Sequence, residues 1–176
     1  MSALPTAESL ARASTLPARF YLDQATYELE RERIFGATWQ LVARLDDLAR
    51  PGDFVPATIL DEPIVITHGT DGELRAFYNV CAHRGTRLLD DTGAACGHVS
   101  KAFKCPYHSW AFDLDGRLIG TPNVDEDEQF DRDDFPLHPV GVPARPERQH
   151  RHQGGVGDRR VIAVAGQVAV VEEGAE

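Results

Sequence analysis

Apolar residues recur along this chain at two different intervals, and the change falls near residue 37. Before it, Tyr27, Leu29, Ile34 and Phe35 make a rough helical face. Asp23 stands where its carboxylate can cap a first turn, and Gly36 where a helix ends, so the spacing predicts one helix between them. Beyond residue 37 the apolar runs are short and rich in β-branched and aromatic residues. Residues 39–42, 54–60, 64–67 and 73–80 are predicted strands. Asp71-Gly72 separates two of them as a hairpin turn. Asp115-Gly116 repeats the signal between residues 110–114 and 117–119. Strands this short, this closely spaced, predict a mainly β fold: a small antiparallel β domain with an N-terminal helix and an irregular C-terminal tail.

These patterns divide the chain into an N-terminal arm and helix (1–36), a β domain (37–140) and an atypical tail (141–176). Residues 1–16 are small and polar and are expected to form a mobile arm. Residues 122–134 hold seven acidic side chains, among them Asp125, Glu126, Asp127 and Glu128. A solvated loop is the plain reading, and a docking surface for a basic partner is the other. Residues 145–160 are rich in arginine, glutamine, histidine and glycine, a composition that buries little, so disorder is expected. Residues 161–171 are small and apolar without an aromatic. They either belong to that irregular tail or add one strand to the sheet.

The chain has 176 residues, room for one ordinary domain with a real core. A formal net charge of −10 argues against nucleic acid and anionic membranes as partners. It suits a basic electron donor, and equally plain solubility. No run of 18 apolar residues marks a membrane span. Met1-Ser-Ala-Leu-Pro lacks the basic and apolar regions of a signal peptide. A cytoplasmic location follows, and a reducing cytosol favours metal ligation over disulfides for Cys81 and Cys105.

Those two cysteines carry the chemistry. Cys81-Ala-His83-Arg-Gly and Cys105-Pro-Tyr-His108-Ser-Trp each set one thiol and one imidazole on a short loop, with 21 residues between His83 and Cys105. Each loop follows an apolar strand, at residues 77–80 and 102–104, which gives four ligands rigid supports. Thiolates on one iron and imidazoles on the other suit an asymmetric two-iron cluster. A Cys2His2 zinc site is the alternative, although zinc fingers usually pair two cysteines and then two histidines. A Cys81–Cys105 disulfide is a further one. Cys96 reads as a free cysteine in the long spacer. His68, His98 and His138 read as ordinary loop or surface histidines, and His150-x-His152 as a weak chelating pair.

The paired motifs resemble the Rieske [2Fe–2S] signature. Arg84-Gly85, Ser109-Trp110, Pro17-Ala-Arg-Phe-Tyr, Trp39 and Tyr78-Asn79-Val80 resemble the alpha subunits of Rieske ring-hydroxylating oxygenases over about residues 17–140. The spacer is a few residues longer than that family usually shows. The resemblance implies a [2Fe–2S] cluster with Cys81 and Cys105 on the inner iron and His83 and His108 on the outer one. Backbone N–H groups near Gly85 and Ser109 are expected to tune the cluster sulfurs. Respiratory Rieske proteins carry one more cysteine in each loop, joined as a disulfide. The equivalent positions here are Thr86 and Tyr107, which places the chain in the low-potential branch. Trp110 reads as core packing rather than an electron relay, and Arg84 either as a subunit contact or as solvated.

The resemblance also implies partners. A reductase or ferredoxin donates one electron, which passes to a mononuclear Fe(II) in the oxygenase catalytic domain, usually that of a neighbouring subunit. In the resembling subunits that iron sits on two histidines and one carboxylate. Only 55 residues follow Thr121, and their histidines are His138, His150 and His152. No catalytic residue is therefore expected in this chain. Nor does it carry a G-x-G-x-x-G for a nicotinamide or flavin. The expectation is an oxidoreductase component without its catalytic domain, inactive alone, with a frame change or truncation behind the odd tail. The rivals are a stand-alone Rieske ferredoxin and a zinc-stabilised binding module. The substrate is not written in these residues.

Overall fold

The computed structural model describes residues 13–90, 96–122, 124 and 130–142, and the backbone of residues 161–165. The chain enters through a short helical turn, α1 (Arg19–Leu22), and a helix, α2 (Gln24–Glu30). Asp23 caps α2 as its sequence position suggests: its carboxylate accepts the N–H of Thr26 at 2.9 Å. The helix runs on into a π turn (Arg31–Phe35) and ends at Gly36. Its apolar face, Tyr27, Leu29, Ile34 and Phe35, stays exposed.

Strands follow. They are β1 (Trp39–Arg44), β2 (Asp53–Ile59), β3 (Glu62–His68), β4 (Leu74–Tyr78), β5 (Gly97–His98), β6 (Ala102–Lys104), β7 (Ala111–Asp113), β8 (Leu118–Gly120), β9 (Pro139–Val140) and β10 (Val161–Ala165). Five form one antiparallel sheet in the order β5-β2-β3-β4-β9, and β6-β7-β8 form a second. Both Asp-Gly pairs lie in tight connections, between β3 and β4 and between β7 and β8.

Within the tail, residues 161–165 take the added-strand alternative. Residues 161–165 pair antiparallel with β1, from Trp39 opposite Ala165 to Arg44 opposite Val161. A β-branched run matched to an open strand edge satisfies backbone groups that would otherwise face only water. The added strand joins β1 in a two-stranded sheet of its own rather than the main sheet. The first twelve residues of the arm, most of the acidic run at 125–129, and residues 143–160 and 166–176 lie outside the described residues.

Strand β3 is the wall between two cores. Residues Ile64, Val65, Ile66 and Thr67 are all buried. Successive side chains of a strand point to opposite faces. Ile64 and Ile66 enter one core with Ala43, Leu48, Val55 and Ala76. Val65 enters the other with Phe77, Phe103, Phe112, Cys81 and Cys105. Thr67 sits on that second face too, and its buried hydroxyl donates to the carbonyl of Leu114 at 3.0 Å. The cysteines therefore rest in a packed interior and not on a surface loop.

The two sheets are latched where their turns meet. Arg75 donates to both carboxylate oxygens of Asp71 at 2.9 and 2.6 Å, and its Nη1 lies 3.2 Å from Asp115. Gly116 permits the close approach behind this latch, since a Cβ there would stand 2.5 Å from the ring of Phe77.

Candidate metal centre

The two loops repeat one backbone frame. In the first, the N–H of Cys81 donates to the carbonyl of Thr86 at 2.8 Å, and the N–H of Gly85 donates to the carbonyl of Cys81 at 2.9 Å. In the second, Cys105 donates to Trp110 at 2.7 Å and Ser109 to Cys105 at 3.0 Å. The fifth residue of each loop is left-handed, Gly85 with φ 64° and Ser109 with φ 63°. Inside equal frames the histidine is offset by one position. His83 is third in its loop and His108 is fourth.

The frames bring the four candidate side chains together. Cys81 is 1% exposed and Cys105 2%. Burial pushes the Cys81 thiol up; the N–H groups of His83 and Arg84 point at it and pull the other way, and the Cys105 thiol pushes it up further. The imidazoles of His83 and His108 meet edge to face with ring centres 4.7 Å apart. Burial pushes His83 down from its ordinary value, and His108 and Arg84 add to the effect. A neutral imidazole is the form that binds metal. The Nδ1 atoms of both rings are buried without any hydrogen-bond partner. Buried polar nitrogens are normally paired, so the fit favours a ligand at that spot.

Among the described residues no group of three or more His, Cys, Asp and Glu side chains is set to hold one metal ion. The Cys81 and Cys105 thiols lie together as one pair and the His83 and His108 imidazoles as another. Tuning N–H groups were expected near Gly85 and Ser109. Those two N–H groups are spent on the cysteine carbonyls, and it is the N–H groups of His83 and Arg84 that reach Cys81.

The histidine end opens onto a concavity of about 460 Å³ lined by His83, Arg84, Tyr107, His108, Ser109, Trp110, Pro122 and Val124. Arg84 is exposed there. Tyr107 is 60% exposed and lies over His108 with ring centres 3.7 Å apart. Trp110 is buried, as its reading as a core residue requires, and it also stacks on His83. Cys96 is free and exposed beside β5, which pairs with β2.

One supporting residue, marked in the sequence only by the resemblance of Tyr78-Asn79-Val80, acts from outside the two loops. Asn79 is fully buried, and its side chain bridges the first loop. Its amide donates to the carbonyl of Leu89 at 2.7 Å and its oxygen accepts the N–H of Leu89 at 3.0 Å. Its own N–H donates to Pro63 at 2.8 Å. The loop is thus stitched to the start of β3.

The fold and its two loops define the class, a small β domain of the iron–sulfur type. The chain belongs to the Rieske [2Fe–2S] domain family, whose sequence profile matches residues 38–138. It is 46% identical over 128 residues to the carnitine monooxygenase oxygenase subunit of Escherichia coli K12, which covers 73% of this chain and 33% of that protein. It is 39% identical over 111 residues to the biphenyl 2,3-dioxygenase alpha subunit of Rhodococcus jostii, covering 63% and 23%. Among solved structures, the quaternary ammonium Rieske monooxygenase CntA bound to an inhibitor superposes with a TM-score of 0.71 at 35% identity. That match covers 88% of this chain and 39% of the other. The chain spans about a third of the length of its curated carnitine monooxygenase relatives. Among the described residues no helix is long and apolar enough to cross a membrane.

Proposed function

We propose that this chain holds one [2Fe–2S] cluster, with Cys81 and Cys105 on one iron and His83 and His108 on the other, and serves as the electron-receiving part of an oxygenase subunit. The observation that carries the reading is a pair of neighbouring buried thiols on the same two loops as a pair of imidazoles whose buried Nδ1 atoms have no hydrogen-bond partner among the described residues. When bound, such a cluster supplies a one-electron couple between about −150 and +300 mV, against about −400 mV for four-thiolate clusters.

The chain's own residues set the terms of that exchange. The loop frames hold the thiols in a dry core, and the histidine pair faces the concavity where a partner can approach. The donor is a reductase or ferredoxin. The acceptor is a mononuclear Fe(II) of the oxygenase catalytic body, in the same or a neighbouring subunit. The domain works in a reducing compartment, the cytoplasm. Greater identity to carnitine monooxygenase subunits than to biphenyl dioxygenases supports a quaternary ammonium substrate for the whole oxygenase.

Iron and sulfide analysis tests the core of the reading. The anaerobically purified chain should hold two irons and two acid-labile sulfides and give a rhombic EPR signal when reduced. Cys105→Ala and His83→Ala should lose it, and Cys96→Ser should keep it. An intact cluster in either of the first two refutes the ligand set. Within the whole oxygenase, turnover of biphenyl but not of a trimethylammonium compound would remove the substrate reading.

A further inference from the structure

The strongest unassigned feature is an aromatic stack that crosses between the two loops. The indole of Trp110, from the second loop, lies face to face on the imidazole of His83, from the first. Their ring centres are 4.6 Å apart and their planes 9° from parallel. Trp110 is itself braced from behind. Phe130 and Phe135 meet it edge to face at 5.9 and 6.0 Å, and those two rings stack on each other at 5.2 Å. Trp110 is 4% exposed, so its plane has little room to turn. Among the described residues the rings against His108 are those of His83 and Tyr107, and Tyr107 is largely exposed.

A histidine ring that holds a metal normally has its orientation fixed by a hydrogen bond from the other ring nitrogen. A flat, buried ring face can do the same by sterics and dispersion, since turning the imidazole would open a gap in a close-packed wall. We propose that Trp110 is a positioning residue for His83, fixing the plane of that imidazole and through it the electronic symmetry of the centre. Phe130 and Phe135 are its supports. This rests on the reading of His83 as an iron ligand. It makes the two histidines unequal, one backed by a buried indole and the other by a largely exposed phenol ring.

The test compares the wild type with Trp110→Phe and Trp110→Leu, both loaded anaerobically. Trp110→Phe keeps a flat face and should retain the wild-type EPR g-values and midpoint potential. Trp110→Leu should shift both and lose its cluster in air several-fold faster. Wild-type g-values and potential in the leucine variant overturn the proposal. If that variant does not load, Phe130→Leu and Phe135→Leu decide, because they loosen Trp110 without removing it. A shift in the same direction supports the proposal, and none overturns it. A wild-type chain that holds no cluster refutes the proposed function instead. The stack is then judged on the apo protein by NMR. His83 ring protons should be shifted upfield in the wild type and relax toward ordinary positions in Trp110→Leu, and no upfield shift in the wild type overturns the inference.

Discussion

Gly85 and Ser109 occupy the same place in the two ligand-bearing loops. Each is the fifth residue from its cysteine, each is left-handed, and each returns its N–H to that cysteine's carbonyl. Only one of them is a glycine. A left-handed conformation costs a residue with a Cβ roughly 1–2 kcal/mol, and glycine loses about 0.5–1 kcal/mol of chain entropy in exchange.

The pair therefore predicts opposite responses. Ser109→Gly should stabilise the apo chain by up to about 1 kcal/mol in urea unfolding. Gly85→Ala should destabilise it by about 1 kcal/mol. Among the described residues no atom outside its chain neighbours stands within 4 Å of a Cβ at Gly85, so that cost is conformational. A destabilised Ser109→Gly would show that the hydroxyl makes a contact of its own.

Asn79 offers a larger effect. Replacing it with alanine removes two hydrogen bonds and strands the buried N–H and carbonyl of Leu89. The expected loss is about 2–4 kcal/mol, with faster cluster release from the loosened first loop. A fall in stability of under about 0.5 kcal/mol would mean that water replaces the amide freely.

The latch between the sheets has a pH signature. Hydrogen bonds from Arg75, then from the N–H of Glu73, hold the Asp71 carboxyl well below the usual carboxylate range. A folded pKa below the unfolded one stabilises the fold above about pH 3.9, and that contribution is lost as the pH falls through the folded value. Asp71→Asn should thus melt lower than the wild type at neutral pH, and the two should converge in strong acid. A gap that stays constant from neutral to strongly acidic pH contradicts the linkage.

The potential follows from what the loops lack. Thr86 and Tyr107 stand where the resemblance puts the two cysteines of the respiratory disulfide, and the side chain of Tyr107 points largely into solvent. A redox titration should place the midpoint near the lower end of the Rieske range, about −150 mV. A clearly positive value would assign the chain to the other branch.

What could be read from the sequence was what is local. The Asp23 cap, the two Asp-Gly turns and the pairing of one thiol with one imidazole per loop are written in neighbouring residues. The stack of Trp110 on His83 joins residues 27 apart, and the latch of Arg75 on Asp115 joins residues 40 apart. No spacing rule announces such contacts. The pairing of β1 with residues 161–165 was open for the same reason, since an apolar run does not say which strand edge it will meet. Asn79 entered only through the resemblance of Tyr78-Asn79-Val80, because its worth lies in where Leu89 returns. The sequence placed tuning N–H groups near Gly85, and the φ of that residue decides that its own N–H faces a carbonyl while those of His83 and Arg84 reach the Cys81 sulfur.

The wall made by β3 bears on how such a protein comes to hold iron at all. The thiols belong to one of the two interiors that the strand separates, and Ile64 and Ile66 belong to the other. An interior that contains no ligand has nothing to gain or lose when metal arrives or leaves. The face built on Ile64 and Ile66 therefore meets no ligand candidate directly, and loss of a cluster would be felt first on the face built on Val65.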